Sequence, residues 1–245
     1  MSKLYFSYAA MNAGKSTILL QASWNYQERG MNTLLFTSAL YAKSDDGRIT
    51  SRIGIAAEAE LYGVDDDLYA RIARAQRKSK IDCIFVDEAQ FLTPDQVWQL
   101  ARVADRLAIP VMCFGLRTDF QGKLFPGSAE LLAIADNLRE IRTICHCGRK
   151  ATMVVRQAAD GRALTSGEQI GIEKTMYVSL CRGHWEEETG RWPLARSRSK
   201  AVAVKPEHAA KKQTVAAAKR TRPALKQAAA RAAPPARRSA PRKPR

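Results

Sequence analysis

Residues 1–142 predict an α/β fold: a parallel sheet flanked by helices and organised around a phosphate-binding loop. Three observations carry that expectation. Apolar runs such as LYFSYA (4–9), TLLFTS (33–38) and IPVMCFGL (109–116) are continuous rather than alternating, as in strands buried on both faces. Stretches of helical period separate them, giving the β-α-β order of a parallel sheet covered by helices. Finally, the first run leads into AAMNAGKSTILL (9–20), where a small-residue loop precedes Gly-Lys-Ser and a helix, the setting a P-loop requires.

Taken in order, LYFSYA is the first strand, residues 15–29 read as a helix stopped by Gly30, and TLLFTS is the second strand. After a polar loop, residues 68–79 have helical spacing and IDCIFVDE (81–88) forms the third strand. Thr93 is placed to cap a helix that begins at Pro94, where proline is tolerated, and runs to about Leu107. IPVMCFGL is the fourth strand. From Cys145 to His184 the segments are short, with ADGRA (159–163) as a turn and MYVSLC (176–181) as a strand. A β-rich module over residues 143–190 is too small for a large core, so it needs a staple.

The third part, residues 191–245, has a different composition. From Arg191 onward 17 Lys and Arg face one acid, Glu207, while residues 1–190 hold 23 basic and 23 acidic residues, so the formal charge of +16 resides in the tail. Seven of the ten prolines lie there as well, and little in it could form a core, so a disordered basic tail is expected. Such a tail binds nucleic acid or other polyanions non-specifically through counterion release, or stays a solvated appendage.

Three groups of residues carry chemistry. Gly14, Lys15 and Ser16 match the end of G-x-x-x-x-G-K-[ST], with Ala9 at the first glycine position. Backbone N–H groups at a helix N-terminus would wrap phosphates, Lys15 would reach the β and γ phosphates, and Ser16 would ligate Mg²⁺. The third strand ends in Asp87 and Glu88. An aspartate there holds Mg²⁺ in P-loop enzymes, and Glu88 is placed to take a proton from an attacking oxygen. If that oxygen is water, the chain is an ATPase or helicase; if it is a substrate hydroxyl, a kinase. Cys145, Cys147, Cys181 and His184 form C-x-C, 33 intervening residues, then C-x-x-H, a closed donor set for structural Zn²⁺. Cys83 and Cys113 read as core residues, His146 as exposed, and His208 belongs to the tail.

MNAGKST, DEAQF, GLRTDFQGKLFPGS, CHCGRKA and YVSLCRGH occur in the order found in cytosolic-type (type II) thymidine kinases, and residues 2–187 resemble the bacterial branch of that family. The resemblance implies transfer of a phosphoryl group from ATP to the 5′-hydroxyl of thymidine, with deoxyuridine also a substrate, giving thymidine monophosphate in deoxynucleotide salvage. It assigns ATP to Ala9, Ala10, Met11, Asn12, Ala13, Gly14, Lys15 and Ser16 and to Asp87, Glu88, Ala89 and Gln90, with Glu88 as proton acceptor. Met11, Phe91, Leu116, Phe120, Phe125, Val154 and Tyr177 match positions that enclose the nucleoside. IGIEKTMY (170–177) matches the nucleoside-covering loop but is one residue shorter than in close relatives, and Arg52 falls in a segment near the phosphates. A homotetramer and feedback inhibition by the triphosphate end product are further implications of the family.

No N-terminal run resembles a signal peptide and no stretch suits a membrane span. Five cysteines, an odd number, fit a reducing compartment, so a cytoplasmic protein without membrane contact is expected. The competing reading is a nucleic-acid-stimulated P-loop ATPase gripping its polymer through the zinc module and tail. Against it, 190 residues leave no room for a second motor domain.

Overall fold

In this computed structural model, which describes residues 2–40, 47–169 and 176–191, strand β1 (Leu4–Ala9) leads through a short loop into helix α1 (Lys15–Gln27). β2 (Thr33–Ser38) follows, then the hairpin of β3 (Arg48–Thr50) and β4 (Ala56–Glu58), and β5 (Glu60–Tyr62). Helix α2 (Leu68–Lys78), β6 (Cys83–Val86), α3 (Pro94–Leu107), β7 (Val111–Leu116), α4 (Pro126–Ile134) and β8 (Asn137–Glu140) complete the α/β part. The strands form a six-stranded sheet in the order β5-β2-β6-β7-β1-β8, with every pairing parallel.

Both faces of the sheet are covered, which explains its unbroken apolar strands. On one face Leu4, Phe6, Phe36, Ile84, Val86 and Val111 pack against Leu68 and Ile72 of α2, Val97, Leu100 and Val103 of α3, and Leu131 of α4. On the other, Leu35, Phe85 and Phe114 meet Leu19 and Leu20 of α1 and Ile49 of β3. Thr93 caps α3 by accepting from the Gln96 backbone N–H at 3.2 Å, and the Gln96 side chain returns the bond to the Thr93 N–H. This is a full capping box, with Thr93 at the cap and Pro94 at the first helical position as the sequence predicts.

The small module contains a β9 (Thr143–Ile144) and β10 (Lys150–Ala151) hairpin and an antiparallel sheet ordered β12-β11-β13, from β11 (Met153–Gln157), β12 (Ala163–Leu164) and β13 (Met176–Leu180). Helix α5 (Arg182–Thr189) closes it. The described residues form one compact unit. The tail after Arg191 and most of the IGIEKTMY segment lie outside the described residues. Among the described residues, no helix is long and apolar enough to cross a membrane.

The first helix is shorter than expected, ending at Gln27. The third strand stops at Val86, leaving both carboxylates just beyond it.

Candidate active site

In the sheet, β1, β7 and β6 are neighbours, and Ala9 pairs with Leu116 at the ends of the first two. The loop after β1 and the turn after β6 therefore meet at the C-terminal edge, where open α/β sheets bind ligands. Ala9 remains regular strand, so the missing first glycine costs nothing there. Left-handed backbone falls instead on Asn12 (φ 61°) and Gly14 (φ 82°). No side chain caps α1 at Gly14, leaving its first N–H groups open to an anion. The Lys15 side chain is buried and its Nζ lies 3.5 Å from the Ala10 carbonyl oxygen. Burial lowers its pKa, and the Glu88 and Asp87 carboxylates oppose that effect.

Ser16 donates from Oγ to Asp87 Oδ2 at 2.8 Å. Burial and the adjacent Glu88 carboxylate push Asp87 up to about 7. A hydroxyl beside a buried carboxylate is the hard oxygen donor set that Mg²⁺ takes, so these residues suit that ion.

Glu88 has left-handed backbone, φ 52°, unusual for a residue other than glycine. Two side chains hold it. Tyr62 donates its hydroxyl to the Glu88 carbonyl at 2.8 Å, and Gln90 donates its amide to Glu88 Oε2. The Gln90 side-chain oxygen Oε1 in turn accepts from the Leu116 N–H at 2.9 Å. Glycine at 115 makes room for this, because a Cβ there would lie 3.0 Å from the Gln90 nitrogen and side-chain oxygen.

Lys15, Ser16 and Glu88 line a cavity of about 370 Å³, together with Met11–Gly14, Arg52 and Gln90. All seven expected nucleoside contacts, Met11, Phe91, Leu116, Phe120, Phe125, Val154 and Tyr177, line that same cavity. Phe91 and Phe125 meet edge to face at 5.9 Å, a favourable aromatic geometry. Ala9, Ala10, Asp87 and Ala89 are buried and do not line it, and Asp87 is joined to the lining residue Ser16 by their hydrogen bond. The cavity also includes Thr50, Ser51 and Ile53, from the segment around Arg52 that the sequence places near the phosphates, and Thr17, Thr118, Asp119 and Gln169, which the sequence did not single out as site residues.

The module reaches this site at two points. Ser179 donates to the Met11 carbonyl at 2.5 Å, and Asn12 donates its amide to the Tyr177 carbonyl at 3.4 Å. Cys145, Cys147, Cys181 and His184 place their donor atoms within 4.8 Å of one another. Thiolates at about 2.3 Å from a tetrahedral zinc would lie about 3.8 Å apart, and the Cys147 and Cys181 sulfurs are 3.9 Å apart. The Arg149 guanidinium lowers Cys147 to about 6, favouring the thiolate a metal needs. The residues therefore suit Zn²⁺, with His184 Nδ1 facing the sulfurs of Cys145 and Cys181. His146 is exposed and stacks on His184 at 4.2 Å. One turn after Cys181, buried Trp185 donates to the carbonyls of both Phe120 (3.2 Å) and Val154 (3.0 Å). The Cys/His cluster is thus braced against two cavity residues through Trp185.

A family model described as "Thymidine kinase" matches residues 2–185. The chain is 66% identical over 191 residues to a thymidine kinase of Mesorhizobium japonicum, covering 78% of this chain and 94% of that one. It is 62% identical over 191 residues to a thymidine kinase of Ruegeria pomeroyi (78% and 96% covered), and 52% identical over 192 residues to one of Photobacterium profundum (78% and 100% covered).

Proposed function

Because the chain belongs to the thymidine kinase family, we infer that it phosphorylates thymidine, transferring the γ-phosphoryl group of ATP to the 5′-hydroxyl. The observation that supports this reading most is one cavity with two unlike ends. One end has Lys15, Ser16 and Glu88 at a helix N-terminus, and the other an apolar shell of Phe91, Phe120, Phe125 and Val154. A triphosphate suits the first, and a flat base the second.

In this mechanism the nucleoside lies in the apolar shell with its 5′-hydroxyl toward Glu88. The Glu88 carboxylate, oriented by the Gln90 amide, accepts the hydroxyl proton. The freed oxygen bonds to the γ-phosphorus as the bond to the β,γ-bridging oxygen breaks, yielding thymidine monophosphate and ADP. The Lys15 ammonium and the N–H groups of residues 12–16 hold the phosphate oxygens while their charge redistributes. Ser16 and Asp87 would hold Mg²⁺, which supplies further positive charge at the phosphates when bound. Cys145, Cys147, Cys181 and His184 would hold Zn²⁺ as a structural staple. From the family we extend the proposal to deoxyuridine as a second substrate, a homotetramer, feedback inhibition by the triphosphate end product and a cytoplasmic location.

Product analysis tests the reading. With ATP and Mg²⁺, thymidine should become the monophosphate in step with ADP formation and without nucleic acid. ATP hydrolysis that requires DNA or RNA and leaves thymidine unchanged would contradict it.

A further inference from the structure

Arg156 is 92% shielded from solvent, at 8% exposure, and among the described residues it forms no ion pair. Its Nε is the one buried side-chain nitrogen or oxygen there without a hydrogen-bond partner. Burying a guanidinium without a carboxylate is unfavourable, so an aliphatic residue would serve packing alone at least as well. What the guanidinium does touch belongs to the cavity. Its carbon lies 5.0 Å from the centre of the Phe120 ring, and one terminal nitrogen donates to the Glu168 carbonyl at 3.0 Å. Arg156 follows Val154 by two residues on β11, so both occupy the same face, and its register partner on β13 is Tyr177.

Glu168 is not held alone. Gln121 donates its amide to the Gly167 carbonyl at 3.0 Å, and the Gln169 amide donates to Asp119 Oδ2 at 3.0 Å. Asp119 is buried and also accepts from the N–H groups of Gln121 and Lys123. Three successive residues, 167, 168 and 169, are therefore each bound by a side-chain hydrogen bond to another element, and the last of them lines the cavity beside Phe120.

We propose that Arg156 is a positioning residue for the nucleoside: with Asp119 and Gln121 it clasps residues 167–169 against Phe120 and so sets one wall of the apolar end of the cavity. The proposal rests on reading that end as the nucleoside site. A guanidinium suits the role because its flat face stacks on an aromatic ring while its edge donates to a carbonyl. Lysine offers a point charge without the fork.

The test uses Arg156→Met, Arg156→Lys and Gln121→Ala in the full chain, with thymidine binding by calorimetry, steady-state kinetics and thermal melts. Arg156→Met should weaken thymidine binding and raise its KM about tenfold, the scale of one charge-assisted hydrogen bond. Its kcat should fall by less than about threefold, with KM for ATP unchanged, as for lost substrate binding rather than lost chemistry. Arg156→Lys should fall between it and the parent, and Gln121→Ala should weaken thymidine binding several-fold (about threefold) as the loss of one neutral bond. Unchanged thymidine affinity in folded Arg156→Met, or equal losses for thymidine and ATP, would overturn the proposal. If Arg156→Met does not fold, unchanged affinity in Gln121→Ala overturns it. Because calorimetry reads binding without turnover, a parent chain that binds thymidine but makes no monophosphate would contradict the catalytic reading and not the clasp.

Discussion

Asp87 and Glu88 are adjacent in sequence but differ in environment. Asp87 is buried beneath Ser16, whereas Glu88 turns to the cavity through a left-handed backbone held by Tyr62 and Gln90. Such a conformation costs about 1–3 kcal/mol, which the surrounding contacts must offset for it to persist. Asp87 has a pH signature of its own. Its folded pKa, about 7, stands above the ordinary carboxylate value of about 4. Ionising it therefore opposes folding: the penalty is absent below about pH 4, grows as pH rises, and is complete above about 7. In the ligand-free protein, Asp87→Asn should raise the melting temperature more at pH 8 than at pH 4, read by thermal melts in matched buffers. An equal gain at both pH values would contradict this account of Asp87. Lys15, Asp87 and Glu88 were legible in the sequence because strand, loop and helix bracket them in a fixed order. Arg156 and Trp185 were not, because a lone arginine on a strand or a lone tryptophan on a short helix has no motif, and its role arises only from what folding brings beside it.

Among the elements, the buried strands and the capped α3 were legible, since continuous apolar runs and a Thr-Pro start are strong local signals. β5 and β8 were not, for they are short sheet-edge strands with largely exposed residues. Neither was α4, whose apolar composition lacks a polar face and whose packing depends on one glycine. A Cβ at Gly127 would lie 2.6 Å from the Leu92 carbonyl oxygen and 2.7 Å from that of Ala89. Gly127→Ala should therefore force α4 away from the turn that carries Glu88. Overpacking of this kind costs about 1–3 kcal/mol, measurable by denaturant unfolding, and kcat should fall with it. Unchanged stability and kcat would mean the turn does not depend on that close approach. The Cys/His cluster offers a second test at this scale. Cys181→Ser should lower zinc content measured by mass spectrometry and raise KM for thymidine, since Trp185 braces Phe120 and Val154 from the same turn. Full zinc retention would remove Cys181 from the ligand set.

For the molecule as a whole, overall charge is a poor guide to function. A formal charge of +16 suggests a nucleic-acid binder, yet residues 1–190 balance at 23 basic and 23 acidic residues, and the cavity joins cationic and acidic groups to an apolar shell. Most of the residues that line that cavity were legible in the ordered motifs of the sequence. Its full wall was not, because Gln169 meets Asp119 from a segment 50 residues away in sequence, which only folding brings together. The central claim is that Glu88 draws the proton from a nucleoside hydroxyl beside the triphosphate held at Lys15. Glu88→Gln tests it most directly, by following γ-labelled ATP into thymidine monophosphate while measuring ATP binding separately. The account predicts ATP affinity close to the parent's, with label transfer reduced at least about a hundredfold. Transfer at the parent's rate in that variant would contradict it.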